Sequence, residues 1–145
     1  MDFEITCPAV SDALGTLRHF VVGVAQDSGF DEEQVEQIEM AVDEACANVV
    51  NHAYGDRTHE SPKFQMRIVI SPDSLKITVM DKGVGLVNMP PGASSVEEFL
   101  DRGAQGGLGL YIIKNFMDEV EYDSPPQAGT TLHMTKYRRP AHASA

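Results

Sequence analysis

At 145 residues, with 42% hydrophobic and 23% charged residues, the chain has the size and composition of one compact soluble domain. A net charge of −11 argues against a nucleic-acid partner, because phosphate backbones are bound by clustered lysines and arginines. The one basic cluster, Lys136, Arg138 and Arg139, is expected to be solvated in a short C-terminal tail. No apolar run approaches the ~20 residues that span a bilayer, and the first residues lack a secretory signal. We therefore expect a cytoplasmic protein without membrane contact.

The first predicted elements are a strand and a helix. Alternating apolar and polar residues over 3–7 predict a strand that Pro8 ends. Ser11 or Asp12 is expected to cap a helix that Gly29 terminates. The inner face of this helix has Leu14, Leu17, Phe20 or Val21, and Val24.

The second helix has the strongest helical pattern in the chain. Asp31 is expected to cap it, and it should end near residues 54–55. One stripe of this helix is apolar and comprises Val35, Ile38, Val42, Ala45 and Val49. Alternation then predicts strands over 63–70 and 75–80, joined by a turn at 71–74.

The second half of the chain contains a long segment bounded by glycines and prolines. Residues 83–107 include a short helical pattern at 96–100, and their length indicates a functional lid. A helix over 108–117 and strands at 120–122 and 130–137 follow. The elements predict one domain, 1–139, with a disordered tail over 140–145. The expected fold is an α+β two-layer sandwich, with a mixed, mostly antiparallel sheet and helices on one face.

Glu44 and Asn48 are the first candidate site residues. They are four residues apart on the second helix, so both side chains project from one face. The amide oxygen is a neutral hard ligand for Mg²⁺, and a neighbouring carboxylate can accept the proton of an incoming hydroxyl. An ordinary solvated helix face is the alternative, and the pair by itself does not exclude it.

Asp81 is the second candidate, because it directly follows a predicted strand and precedes Gly83 and Gly85. An aspartate at a strand end can accept a hydrogen bond from an exocyclic amine, and glycines let a flat ring approach the backbone. A turn leaving the sheet explains the same residues. A threonine hydroxyl from the start of the last strand, at 129–131, can bond the same ring or Asp81, although threonine is also a good strand former.

The third candidate is a glycine cluster that opens the helix over 108–117. It comprises Gly106, Gly107, Leu108 and Gly109. Backbone N–H groups and the partial positive charge at a helix N-terminus favour phosphates there. A flexible hinge is the alternative, but a glycine in the first helical turn costs ~1 kcal/mol of helix propensity. No Gly-Lys-Ser/Thr follows, so the cluster is not a P-loop, and no parallel βαβ unit surrounds it.

The order of these motifs is more specific than any one of them. Their order along the chain resembles that of the GHKL ATP-binding fold. This order is an Asn-bearing helix, a strand that ends in Asp-x-Gly-x-Gly, a lid, a second glycine-rich motif that opens a helix, and a last strand that begins with Gly-Thr. Gyrase, heat-shock chaperones, sensor histidine kinases and mismatch-repair ATPases share this fold. Four short sequence motifs are similar to those of bacterial anti-sigma-factor serine kinases of partner-switching systems. They are VDEACAN at 42–48, NHAY at 51–54, GLGL at 107–110 and NFMDEV at 115–120. The resemblance covers residues 10–137.

The resemblance implies a role for each candidate around ATP. Asn48 would coordinate Mg²⁺ bridging the phosphates, and Glu44 would be the catalytic base for a seryl hydroxyl. Asp81 would bind the adenine amino group. The residues that would shape its pocket are Gly83, Gly85 and Thr131.

The resemblance also assigns the phosphate contacts. The N–H groups of residues 106–109 would hold the phosphates under the lid, and Arg102 would contact the γ-phosphate. Arg18 lies near a position where relatives present a partner-contacting arginine, whereas its place on the first helix favours a solvated face.

The implied protein is a bacterial cytoplasmic anti-sigma-factor kinase that binds Mg·ATP, sequesters a sigma factor and phosphorylates an antagonist on Ser or Thr. It would be a homodimer without direct nucleic-acid contact. A sensor histidine kinase would need a phospho-accepting His on a helical hairpin, for which the chain has no room. A non-catalytic ATP-binding module that sequesters a protein partner stays open, because the sequence does not prove transfer. The joint motif order argues against a plain α+β interaction domain.

Overall fold

A computed structural model describes residues 1–53, 62–82, 107–123 and 129–140. The elements are β1 (Asp2–Pro8), α1 (Ser11–Asp27), α2 (Glu32–Asn48), a π-helical turn (Val49–Ala53), β2 (Lys63–Ile70), β3 (Ser74–Asp81), α3 (Gly107–Phe116), β4 (Glu119–Asp123) and β5 (Thr130–Tyr137). The predicted helical pattern at 96–100 and the tail beyond residue 140 lie outside the described residues. Within the described part, no helix has both the length and the apolar character needed to cross a membrane.

The described strands form one five-stranded sheet in the order β1-β2-β3-β5-β4. All four pairings between them are antiparallel, so the predicted mixed sheet is antiparallel throughout this part of the chain. The β2–β3 hairpin turns through 71–74, where Ser71 N–H donates to the Ser74 carbonyl over 2.9 Å. The predicted α+β class is confirmed.

The hydrophobic core lies between the sheet and the helices, because every second residue of a strand and one apolar stripe of each helix face it. On β2 the buried residues are every second one, and the intervening lysine, glutamine and arginine are exposed. The fully buried side chains that fill the interface include Val21, Ile38, Val42, Phe64, Met66, Ile77 and Met134. Val21, rather than Phe20, faces this core from α1. Phe20 is 37% exposed and makes an edge-to-face contact with Phe3, with ring centroids 5.4 Å apart.

The helix ends follow local chemistry in two of three cases. Asp31 caps α2, since its carboxylate accepts a hydrogen bond of 2.8 Å from Gln34 N–H. Gly29 ends α1 at φ +88, and the N–H groups of residues 29 and 30 bond back to the carbonyls of residues 26 and 25. The predicted cap of α1 was wrong. Val10 holds the extended cap position without a side-chain bond, because Ser11 already belongs to the helix.

The basic cluster at the C-terminus was expected to be solvated, and this holds for the exposed Arg138 and Arg139 but not for Lys136. Lys136 lies in β5, is only 6% exposed, and donates to the Phe116 carbonyl and to Gln37 Oε1. Arg138 donates to the carbonyls of residues 28 and 72, and Arg139 forms ion pairs with residues 31 and 33. These cations join the end of β5 to the ends of α1 and α3, to the first half of α2 with its cap, and to the β2–β3 turn.

Candidate functional site

Helix α2 holds Glu44 and Asn48 one turn apart in its last regular turns. Both side chains are half-buried, while Ala45 and Cys46 between them are buried in the core. The core contact therefore fixes the rotation of the helix and the direction of the two polar side chains. A π-helical turn begins immediately after Asn48, with Val49 and Val50 buried. Such turns are rare and often lie at functional sites.

The first turn of α3 lies directly against this pair. A Cβ atom placed on Gly109 would lie 3.0 Å from Glu44 Oε2 and 3.6 Å from Asn48 Oδ1. Only a residue without a side chain allows this approach without displacing the carboxylate. We call Glu44, Asn48 and Gly109 the helix cluster. The structure thus brings the first candidate, Glu44 with Asn48, against the glycine cluster, although Gly109 lies 61 residues beyond Asn48 in the sequence.

The chemistry of the helix cluster suits a metal-bound polyphosphate. The first four N–H groups of a helix have no intrahelical partner, and residues 107–109 supply the first of them in α3. The partial positive charge of this helix end favours an anion. Mg²⁺ usually binds one or two protein oxygens together with substrate phosphates and water, and Asn48 Oδ1 offers such an oxygen beside the Glu44 carboxylate. The residues present therefore fit Mg²⁺ carried by a nucleotide.

A second group of residues lies where β3 ends and β5 begins. Asp81 is the last residue of β3, is 8% exposed, and is paired with Thr130, the first residue of β5. Gly129, which precedes Thr130, has a φ of +82, and a Cβ on Gly129 would overlap the carbonyl oxygen of Asp81. We call Asp81, Gly129 and Thr130 the strand cluster. Its close backbone approach places a buried carboxylate and a buried hydroxyl side by side.

The strand register reassigns one predicted residue. Thr130 has the same parity as Leu132 and Met134, which are buried on the helix side of the sheet. Thr131 is paired with Met80 and lies on the opposite face. The threonine on the side of Asp81 is therefore Thr130, not Thr131. The parity of the buried residues in the last strand was a signal in the sequence that distinguishes the two.

Sequence reasoning also missed Tyr122. This residue of β4 is 7% exposed, and its hydroxyl lies 3.4 Å from Thr130 Oγ1. Residues 120–122 were predicted only as a strand, without a role for any side chain. The pairing of Tyr122 with Leu132 puts its ring on the helix side of the sheet, which a sequence without known pairings does not reveal.

The remaining candidates are placed as follows. Gly83, Gly85, Arg102 and Gly106 lie outside the described residues, so their roles stay predictions. Arg18 forms an ion pair of 3.1 Å with Asp43, which joins α1 to α2 beside the helix cluster. Both side chains are more than a third exposed, so the pair contributes little stability.

Comparison with known proteins gives one family. A family model described as histidine kinase-like ATPase domain matches residues 7–136. The serine-protein kinase RsbW of Bacillus pumilus is 36% identical over 139 residues, which is 92% of this chain and 84% of that protein. The RsbW of Bacillus subtilis is 32% identical over 138 residues, with the same shares of both chains.

One solved structure shares the fold. The crystal structure of the RsbU and RsbW domains of a Mycobacterium tuberculosis protein matches with a TM-score of 0.68 at 22% identity. The match covers 97% of this chain and 34% of that one. This chain therefore spans about a third of that larger protein, and the likeness concerns the fold alone.

Proposed function

The chain belongs to the histidine kinase-like ATPase domain family and, within it, to the RsbW serine-protein kinases, and from this premise we propose an anti-sigma-factor kinase. In this proposal the protein binds Mg·ATP, phosphorylates an antagonist protein on Ser or Thr, and sequesters a sigma factor in the bacterial cytoplasm. The observation that carries the proposal is the contact of Gly109 with Glu44 and Asn48. It combines a carboxylate, an amide oxygen and a helix N-terminus at one point.

Glu44 acts as the general base of this reaction. The seryl oxygen of the antagonist bonds to the γ-phosphorus, the bond from that phosphorus to the bridging oxygen of ADP breaks, and Glu44 takes the seryl proton. Phosphoryl transfer depends on positioning and on charge stabilisation more than on covalent chemistry. The burial of Ala45 and Cys46 in the core fixes the rotation of α2 and so supplies that positioning.

Asn48 and the first turn of α3 hold the phosphates. Mg²⁺, when bound, would neutralise part of the phosphate charge, and the side-chain oxygen Oδ1 of Asn48 would hold it. The backbone N–H groups of residues 107–109 donate to phosphate oxygens. The net charge of −11 offers no global attraction for ATP, so this local arrangement supplies the affinity.

The strand cluster binds the base. Asp81 accepts a hydrogen bond from the exocyclic amine of adenine, and Thr130 is the neighbouring hydroxyl. Since Asp81 is buried, a base that offers no donor at this point forgoes the hydrogen bond to its carboxylate. This requirement favours adenine.

We also propose that a second copy of the chain docks at β1. This strand is an edge of the described sheet, so its outer backbone groups can accept another strand. An apolar groove of about 410 Å³ lies beside it, with a lining that includes Ile5, Cys7, Leu17 and Phe20. An Ile5→Lys variant should be monomeric in light scattering, while Lys76→Glu on β3 should leave the dimer intact.

The test of the kinase proposal is transfer of label from γ-³²P-ATP to purified antagonist candidates encoded beside the gene. Glu44→Gln should lower the transfer rate by about 100-fold or more without changing ATP affinity. Glu36→Gln, an exposed substitution on the same helix, is the matched control and should transfer at the wild-type rate. Equal transfer by Glu44→Gln and the wild type would show that another group is the base.

Calorimetry tests the nucleotide site separately. Asp81→Asn should weaken ATP binding by about tenfold or more, because a charge-assisted hydrogen bond is lost. Asp73→Asn, in the exposed β2–β3 turn, should bind as the wild type does. Unchanged ATP affinity in Asp81→Asn would refute the assignment of the base site. ATP binding without transfer in the wild type would select the non-catalytic sequestering module.

A further inference from the structure

Two apolar side chains lie open to solvent beside the helix cluster. Met40 is 47% exposed, although Ala41, the next residue of α2, is fully buried. Ile112 is half-buried, although Ile113, the next residue of α3, is fully buried. Each helix therefore buries one apolar residue and leaves its neighbour open. A single exposed apolar residue needs no explanation, whereas two that lie together can form a docking surface.

Two contacts show that α2 and α3 run antiparallel. A Cβ on Gly109, in the first turn of α3, would lie 3.0 Å from Glu44 Oε2, near the end of α2. Lys136 Nζ donates both to the carbonyl of Phe116, the last residue of α3, and to Gln37 Oε1, in the first half of α2. The two contacts are about two turns apart on each helix, because each pair of contact residues is separated by the same distance in sequence.

The two open side chains lie between these contacts, at one level of the groove. Met40 is four residues before Glu44, and Ile112 is three residues after Gly109. These spacings keep side chains on one face of a helix, with their Cβ atoms about 5–6 Å apart. Both residues are therefore about one turn from the Glu44 carboxylate, on the solvent side of the groove. We call Met40 and Ile112 the seam patch.

The substrate of the proposed reaction has to approach across the seam patch. The seryl oxygen must come within about 3 Å of the Glu44 carboxylate to give up its proton. An extended chain advances about 3.3 Å per residue, so the residue two positions from the serine reaches the level of the patch. The residues next to an acceptor serine thus meet a surface that is apolar.

The charges around the patch restrict what can bind there. Glu36 and Glu44 lie one turn on either side of Met40, and α2 contains neither lysine nor arginine. An acidic side chain would therefore be repelled at this point. Apolar surface is gained only by burying an apolar side chain.

We infer that the seam patch is the docking site for a large apolar side chain of the antagonist, close in sequence to the serine that is phosphorylated. The inference rests on the proposed kinase function and names the chemistry of its protein substrate. The acceptor segment has a residue such as leucine, methionine or phenylalanine beside its serine, and no acidic residue at that place. Met40 and Ile112 bind this residue and take no part in the chemical step. They therefore contribute to the KM for the antagonist and not to kcat.

The experiment measures steady-state transfer of label at saturating Mg·γ-³²P-ATP, with increasing concentrations of the purified antagonist that accepts label. Met40→Asp should raise the KM for this protein by about tenfold, with kcat within about twofold of the wild type. Ile112→Ala should raise KM by about three- to fivefold. Met40→Leu keeps the apolar surface and should keep the wild-type KM. ATP affinity, measured by calorimetry, should be unchanged in all three variants.

Tyr111→Ala is the matched control. Tyr111 is 56% exposed on α3, and its position two residues after Gly109 puts it on the opposite side of that helix. This variant loses as much exposed apolar surface, yet it should keep the wild-type KM. Thermal unfolding shows whether each variant is folded.

Several results would overturn the inference. One is an unchanged KM in folded Met40→Asp, and another is an equally large rise in Met40→Leu or Tyr111→Ala. A lower kcat at unchanged KM would show that Met40 acts on the position of Glu44 instead. Weaker ATP binding would assign the patch to the nucleotide site, and loss of the dimer in light scattering would assign it to a second copy of the chain.

The same assay distinguishes this inference from the proposed function. If the wild type labels no antagonist, the kinase proposal falls and the inference falls with it. If the wild type transfers label and Met40→Asp does so with the same KM, the kinase proposal stands and the role of the seam patch alone is refuted.

Discussion

Replacing Gly109 by alanine separates the stability of the protein from its chemistry. The added Cβ would lie 3.0 Å from Glu44 Oε2 and 3.6 Å from Asn48 Oδ1. The first distance is shorter than an ordinary van der Waals contact, so one of the two groups must move by a few tenths of an ångström. The carboxylate is the end of a flexible side chain, whereas residue 109 is held by the backbone of α3. Glu44 is therefore the group that moves.

The two consequences have opposite signs. Alanine is favoured over glycine in a helix by up to about 1 kcal/mol, so the free energy of unfolding should stay equal or rise. The displaced carboxylate no longer faces the seryl hydroxyl, and misplacement of a catalytic group by about 1 Å costs up to about 100-fold in rate. Because the displacement here is only a few tenths of an ångström, we expect Gly109→Ala to reduce phosphoryl transfer by about 3- to 10-fold.

The assay combines urea unfolding with single-turnover transfer to the antagonist. Gly23→Ala is the matched control, because a Cβ at this position in α1 meets no atom within 4 Å. It should raise stability similarly and leave the transfer rate unchanged. Transfer at the wild-type rate by Gly109→Ala, or a loss of more than about 2 kcal/mol of stability, would refute the reasoning, since either shows that the backbone of α3 moves instead.

Three further predictions, the first two with a matched control, are measured by urea unfolding. Gly129→Ala should cost at least about 3 kcal/mol because its Cβ overlaps backbone, whereas Gly29→Ala, also at positive φ, meets only a flexible arginine and should cost about 1–2 kcal/mol. Lys136→Met should cost about 1–3 kcal/mol by removing the donor to two acceptors, and exposed Lys76→Met should cost under about 0.5 kcal/mol. Burial lowers the pKa of His133 below 6.5, with a further lowering by a neighbouring lysine. Its contribution to stability is therefore present above pH 6.5 and is lost as pH falls through the folded-state pKa. His133→Gln should lose less stability than the wild type as the pH falls below 6.5, and identical pH profiles would contradict this.

Local patterns in the sequence determined most of the elements. The bounds predicted for β2 and β5, 63–70 and 130–137, are those observed, because alternation reports which side of a sheet each residue faces. The cap at Asp31 and the stop at Gly29 were also predictable, since the bonds that define them join residues at most five apart. The candidates Glu44 and Asn48 followed from their spacing on one helix.

Tertiary structure decided what those residues contact. The sequence did not show that Lys136 is buried beneath α3, that Gly109 touches Glu44, or that the hydroxyl of Tyr122 reaches Thr130. Each of these contacts joins residues on different elements, and its geometry depends on register and packing rather than on periodicity. The sequence alone therefore determined which residues could form a nucleotide site. Only the packing of α3 against α2, and the register of β5 against β3 and β4, decided which of them meet.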